Sequence, residues 1–408
     1  MGDALGDAEQ TRLRRARAAK GWSQNEVCAR LARARRARGQ MPPKPESVLR
    51  QYRWWEQGKK KATEWQEELC DVFEMSPQAL GLVEEPTLSP LIVPTAPPAA
   101  VEYGDTAYLE SARAYLKHLV ALDNRFGAAD IVRMSVRFFK SLQNLLGTGA
   151  YEPALEQDLN ALTGEVAELA GWLAYDAEKH DLVRRMNQES LYYTRLAGDR
   201  NIELLTLQNA SMHAGALGRP HEALQIARSV LEGGYELSPR IRALFLTRKA
   251  RALAQGGDES AIPLFNEIES LYLEGVRDDD PEWAWWIDDR ELAWHKAMAT
   301  QSLQRDSTAI AEFERSVEAT APTETRSQYL HRAYLLQAQV DLGTWADAEA
   351  TIKSLLPLIP EVESTRTKVL LRDAIAKVAA YQKVPANIES GIAQLGIALD
   401  DADLTEAW

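Results

Sequence analysis

The feature that most limits the fold of this chain is an octapeptide that returns. Leu217-Gly218-Arg219-Pro220-His221-Glu222-Ala223-Leu224 reappears as Leu342-Gly343-Thr344-Trp345-Ala346-Asp347-Ala348-Glu349. Gly257-Asp258-Glu259-Ser260-Ala261-Ile262 and Arg305-Asp306-Ser307-Thr308-Ala309-Ile310 are shorter relatives. The alanines at 223, 261, 309 and 348 are spaced by 38, 48 and 39 residues. An amphipathic helical pattern precedes each turn and another follows it. A small alanine after the turn lets two helices approach closely, and Phe265, Phe313 and Ile352 cover the same face one turn later. Such a unit cannot bury its apolar face alone, so it stacks on its neighbours. From Tyr108 onward the pattern is helical almost throughout, with no strictly alternating β-branched runs, which predicts an all-α fold.

The N-terminal end is different. Thr11 to Ala19 reads as a helix ended by Gly21. A second starts at Ser23, where Ser23-x-x-Glu26 has the form of a capping box, with Val27, Cys28 and Leu31 as its buried stripe. Gly39, Pro42, Pro43 and Pro45 interrupt the pattern. A third helix is expected from Glu46 to Trp55, then one over Glu64–Phe73 and a very short one over Pro77–Leu80. Residues 83–103 carry Pro86, Pro90, Pro94, Pro97 and Pro98 with almost no charge, the composition of an extended spacer. The expected organisation is therefore residues 1–82, a linker over 83–103, and a helical array over 104–408.

Charge divides along the same line. Residues 1–63 hold 16 Lys+Arg against 6 Asp+Glu, whereas residues 83–408 hold 31 against 49. The total of −13 argues against nucleic acid, but the asymmetry points to a basic N-terminal face. Cys28 and Cys70 read as two reduced, buried thiols. The N-terminus lacks the apolar segment of a signal peptide, and no apolar run is long enough to span a membrane, so a cytoplasmic protein is expected.

No catalytic constellation is present. His-Glu-x-x-His, Gly-x-Ser-x-Gly, a phosphate-binding glycine loop and paired Cys-x-x-Cys are all missing, so neither an enzyme nor a cofactor is expected. The acids at Asp278–Asp280 and Asp288–Asp289 lack the glycine and terminal glutamate of a calcium loop and read as a solvated turn. They frame Trp283, Trp285 and Trp286, with Trp294 beyond. These indoles are either core or an aromatic box for a cation, with core the better reading. Asn209 lies on the first helix of its repeat, where an amide on a concave surface can clamp a peptide. Asn209, Trp285, Trp286 and Trp294 are therefore the candidate effector pocket. His213 and His295 show no partner spacing and read as structural.

Residues 11–82 resemble the helix-turn-helix domain of Xre/Cro-like repressors. Gly21-Trp22-Ser23-Gln24, Trp55-Glu56-Gln57-Gly58 and the segment Leu69 to Leu82 carry the resemblance. It implies a five-helix domain whose third helix enters the major groove of DNA. Arg50, Gln51 and Arg53 are then the base-reading candidates, because Arg pairs with guanine and Gln with adenine. Ser23, Gln24, Arg36, Lys44, Lys59, Lys60 and Lys61 are the phosphate candidates. Trp55 is expected to pack beneath the helix. The chain departs from the family in the long basic link between helices two and three.

The repeats are similar to tetratricopeptide repeats, although longer and mostly without the large aromatic of the first helix. The two-part design resembles cytosolic peptide-sensing and actinobacterial regulators. Together these imply a transcriptional regulator, homodimeric on a near-palindromic operator, whose α-solenoid senses a peptide or small molecule. The alternative is a helical-repeat interaction scaffold whose helix-turn-helix is vestigial or docks a protein.

Overall fold

The structure is a computed structural model. It describes residues 11–38, 41–57, 59–60, 62, 65–73, 75, 80–82, 103–126 and 131–405. Among these residues the fold is all-helical. There is no β-strand, and one isolated parallel bridge pairs Gly104 with Tyr151. The chain divides into two compact units, residues 1–93 and 94–408. The expected linker lies outside the described residues except for Tyr103, and so does most of the Pro77–Leu80 segment.

In the first unit the described helices are α1 (Arg12–Ala19), α2 (Gln24–Ala37), α3 (Pro45–Glu56) and α4 (Gln66–Phe73). Ser23 caps α2 as its sequence predicts: its Oγ accepts from the Glu26 amide, and the Glu26 carboxylate accepts from the Ser23 amide. Pro45 opens α3, where its missing N–H costs nothing. The link between α2 and α3 is shorter than the sequence implies. Helix α2 continues through Arg33, Arg35 and Arg36 because alanines at 29, 32, 34 and 37 separate the arginines and sustain the helix. The core is aromatic: Tyr52, Trp55, Trp65 and Phe73 are buried with Leu13, Val27, Leu31, Val48 and Leu69. Each fully buried side chain of this size contributes roughly 1.5–3 kcal/mol.

The second unit contains α5 (Thr106–Phe126), α6 (Ile131–Thr148), α7 (Glu156–Asp176), α8 (His180–Ala197), α9 (Arg200–Ala216), α10 (Pro220–Leu231) and α11 (Pro239–Gln255). It continues through α12 (Ala261–Leu273), α13 (Asp289–Ser302), α14 (Asp306–Ala319), α15 (Thr325–Leu342), α16 (Trp345–Leu355), α17 (Thr365–Ala379) and α18 (Ala386–Thr405). Consecutive helices pack in pairs, and α7, α9, α11 and α13 also pack in series. The repeated turn works as the sequence requires. Gly218 and Gly343 both adopt positive φ (67° and 73°), a conformation that costs glycine little. Ala223, Ala261, Ala309 and Ala348 are all buried, as are Phe265, Phe313 and Ile352. Side-chain caps at Asp199, Ser238, Asp288 and Ser364 start α9, α11, α13 and α17.

The series closes on itself within this unit. Helix α5 packs on α15, and α7 on α17. Arg326 on α15 donates to Asp123 on α5 at 2.8 Å, and Ser364 donates to Asp176 on α7 at 3.1 Å. The faces turned inward by α7, α9, α11, α13, α15 and α17 therefore enclose a polar core.

Candidate nucleic-acid interface and the buried polar core

Helix α3 buries Val48, Tyr52, Trp55 and Glu56 and exposes Arg50, Arg53 and Gln57 on its opposite face. The arginines are three residues apart and therefore share a helix face. Gln51 lies at the edge of that face. Its Oε1 is enclosed and has no partner among the described residues, so its amide is less available than the two guanidiniums. Arg50 lies 5.7 Å and Lys60 4.9 Å from the centre of the Trp54 ring, which gathers two of the candidate groups around one indole. Arg36, Lys44 and Lys59 are exposed, and Lys61 lies outside the described residues.

Two candidates are engaged inside the unit. Ser23 holds the α2 cap, although its hydroxyl proton is not used there. The Gln24 side chain donates to Glu56 Oε2 at 2.6 Å and accepts from Arg53 Nε at 3.2 Å. Glu56 is the centre of this network. It is buried and receives Arg17 Nε at 2.6 Å, so one carboxylate joins α1, α2 and α3. The hydrogen bond from Arg17 to Glu56 is the main reason the Arg17 guanidinium is held above its ordinary range. Trp55 is buried, in edge contact with Tyr52 at 6.1 Å. Arg35 and Arg38 are drawn to α4, through Glu68 for the first and Glu67 and Asp71 for the second.

The four effector candidates do not form one pocket. Trp285 is 64% exposed. Trp286 stacks on Trp283 at 6.2 Å, in a cluster with Leu204, Leu207 and Phe245. Both belong to a short 3-10 segment, Glu282–Trp286, that is anchored by Trp283 Nε1 donating to the Asn201 carbonyl. The aromatic box is thus not assembled, because Trp294 is buried on α13 against His331 and Tyr334 instead. Trp294 and Asn209 both border the closed polar core. Asn209 donates to Glu168 at 2.6 Å and accepts from Gln208, Gln208 accepts from Arg248, and Arg248 meets His295 beside Trp294.

That core holds residues that sequence reasoning passed over. Arg248, Arg251 and Arg366 are buried, and Arg326 is partly buried. Arg326 contacts Asp123 and Asp176, and Arg366 lies 3.3 Å from Asp176. Arg248 lies 3.9 Å from Glu291. Burial keeps His295 neutral, with Arg248 and Arg251 adding to the effect, and holds His331 down to about 4. Burial, then Glu165, pushes the Glu168 carboxyl up to about 8, so it is largely uncharged at neutral pH. The one signal for this core in the sequence is the placement of Arg326 and Arg366 near the starts of α15 and α17, 40 residues apart.

No metal-ligand grouping of three or more His, Cys, Asp or Glu occurs among the described residues, and no helix there is long and apolar enough to cross a membrane. No protein-family model and no curated protein matches this sequence.

Proposed function

We propose that this chain is a sequence-specific DNA-binding regulator, with a helix-turn-helix unit at its N-terminal end and a tetratricopeptide-like α-solenoid that senses an effector. The observation that carries the reading is the two-sided character of α3. One face is locked into an aromatic core and into the Glu56 network, and the other presents Arg50 and Arg53 to solvent. A reading helix needs this division, because base-edge contacts require side chains held by a rigid support.

The charge asymmetry favours the same reading. The basic residues nearest Arg50 attract phosphate, and the acidic remainder repels it, which confines a duplex to the N-terminal unit. A homodimer follows from the short reach of a single recognition helix. The closed polar core supports the sensing role: a lining of buried charged and amide groups is ill suited to mere packing. The direct test is enrichment of genomic DNA fragments on the purified full-length protein. Discrete enriched sites sharing an inverted repeat are expected; a protein partner captured without any enriched DNA would overturn the reading in favour of a scaffold.

A further inference from the structure

The polar core has more positive charge than it can pair. Among the described residues, Arg248, Arg251, Arg326 and Arg366 face the carboxylates of Asp123, Asp176 and Glu291, while Glu168 keeps its proton at neutral pH. The shortfall falls on Arg251. It is nine-tenths buried, has no carboxylate within ion-pair distance among the described residues, and bonds there to Nδ1 of the neutral His295 at 3.2 Å. Its guanidinium lies 5.7 Å from the Trp294 ring, and Trp294 touches Tyr334 at 5.4 Å. Arg366 completes the arrangement from α17. Its guanidinium lies over the rings of Tyr175 at 4.7 Å and Trp172 at 5.8 Å, and its buried Nε–H has no acceptor. Arg251 feels the charge of Arg366, and Tyr175 and Tyr334 lie within electrostatic reach of both arginines.

Buried donors without acceptors are costly, and a buried cation without an anion more so. Proteins retain such groups where something else completes them. We infer that Arg251 and Arg366, with Tyr175 and Tyr334 between them, form a binding site for a small oxyanion, the carboxylate or phosphate group of the effector. One oxygen gives Arg251 the anionic acceptor it lacks, and another meets the orphan Arg366 Nε–H, the fork geometry that guanidinium and oxyanion share. Trp172 and Tyr175, the rings that Arg366 covers, also line a narrow cleft together with Asn209.

The inference rests on reading the helical unit as a sensor, and it is tested without DNA so that the two can fail separately. Tryptophan fluorescence of the full-length protein is titrated with sodium phosphate, with sodium acetate, and with sodium chloride at matched ionic strength. A saturable change with phosphate assigns a phosphate site, one with acetate a carboxylate site, and one with both a general oxyanion site; chloride gives no saturation. Arg251→Met is expected to weaken the response at least tenfold, and Arg251→Lys to retain part of it. Loss in Arg251→Met separates this site from phosphate held by the basic N-terminal residues. If Arg251→Met does not fold, Arg366→Gln gives the same comparison. Neither oxyanion differing from chloride, or an unchanged response in the folded variant, would overturn the site and leave operator binding untouched.

Discussion

Arg326 and Asp123, 203 positions apart in the chain, meet at 2.8 Å in a partly buried ion pair that joins α15 to α5. Trp172 adds an N–H to the same carboxylate oxygen at 3.2 Å. Burial pushes the Asp123 carboxyl up, and Arg326 pulls it back only in part. The contact closes the helical array across its whole length, because α5 begins the array and α15 lies near its end.

Asp123→Ala should destabilise the helical unit by about 1–3 kcal/mol, since it leaves Arg326 with Asp176 alone and takes the acceptor from the Trp172 N–H. Urea unfolding followed by far-UV circular dichroism measures this. Asp123→Leu combined with Arg326→Leu should recover much of the loss, because removing both charges removes the desolvation cost. Equal instability of the single and double variants would show that the closure does not depend on this pair.

Glu168 makes stability fall with rising pH. Its folded-state pKa of about 8 lies above the ordinary 4.5, so between those values the folded protein holds a proton the unfolded chain has released. The slope is at most about 1.4 kcal/mol per pH unit. Glu168→Gln keeps an acceptor for Asn209 and should flatten this limb, making the variant more stable than the parent above about pH 8. Urea midpoints across the range check it.

His331 acts on the other side. Its folded-state pKa of about 4 lies below the ordinary 6.5, so the unfolded chain takes up a proton first and stability is lost as pH falls through that window. His295 is displaced in the same direction. His331→Gln should reduce the acid loss by at most about 1.4 kcal/mol per pH unit over that window. A thermal-unfolding series in which parent and variant fall in parallel would contradict this.

Gly164 on α7 has no room for a side chain: an added Cβ would lie 2.6 Å from Thr194 Cγ2 on α8. Gly164→Val should therefore cost about 1–3 kcal/mol. Gly147, which has nothing within 4 Å of an added Cβ, is the control position, and Gly147→Ala should be close to neutral in the same unfolding assay.

Local signals in the sequence were readable where the physics is local. The capping box at Ser23 and Glu26 involves neighbours, as do the turn glycines and the alanines that follow them. These identify helix starts, turns and the repeated pairing from residue type alone. The link between α2 and α3 reads as long and basic, yet Arg35 and Arg36 lie within α2, because arginine and the alanines around them are good helix formers. The candidate sites were harder. Gln24 is drawn into the Glu56 network by groups 29 and 32 residues away, and Trp294 is separated from Trp285 by facing a different helix. Arg251 could not be singled out at all, since what distinguishes it is a carboxylate that no distant element supplies.

The proposed regulator reads DNA through Arg50 and Arg53 on α3. Gel-shift titration of the parent and of Arg50→Ala combined with Arg53→Ala, on an enriched genomic fragment and on an unrelated duplex over a range of salt, tests this most directly. The parent should bind its fragment more tightly, with affinity falling steeply as salt rises, and the variant should lose at least about tenfold on that fragment while keeping weak binding to both duplexes. Equal affinity of parent and variant for the enriched fragment, or no binding to any duplex in dilute buffer, would contradict it.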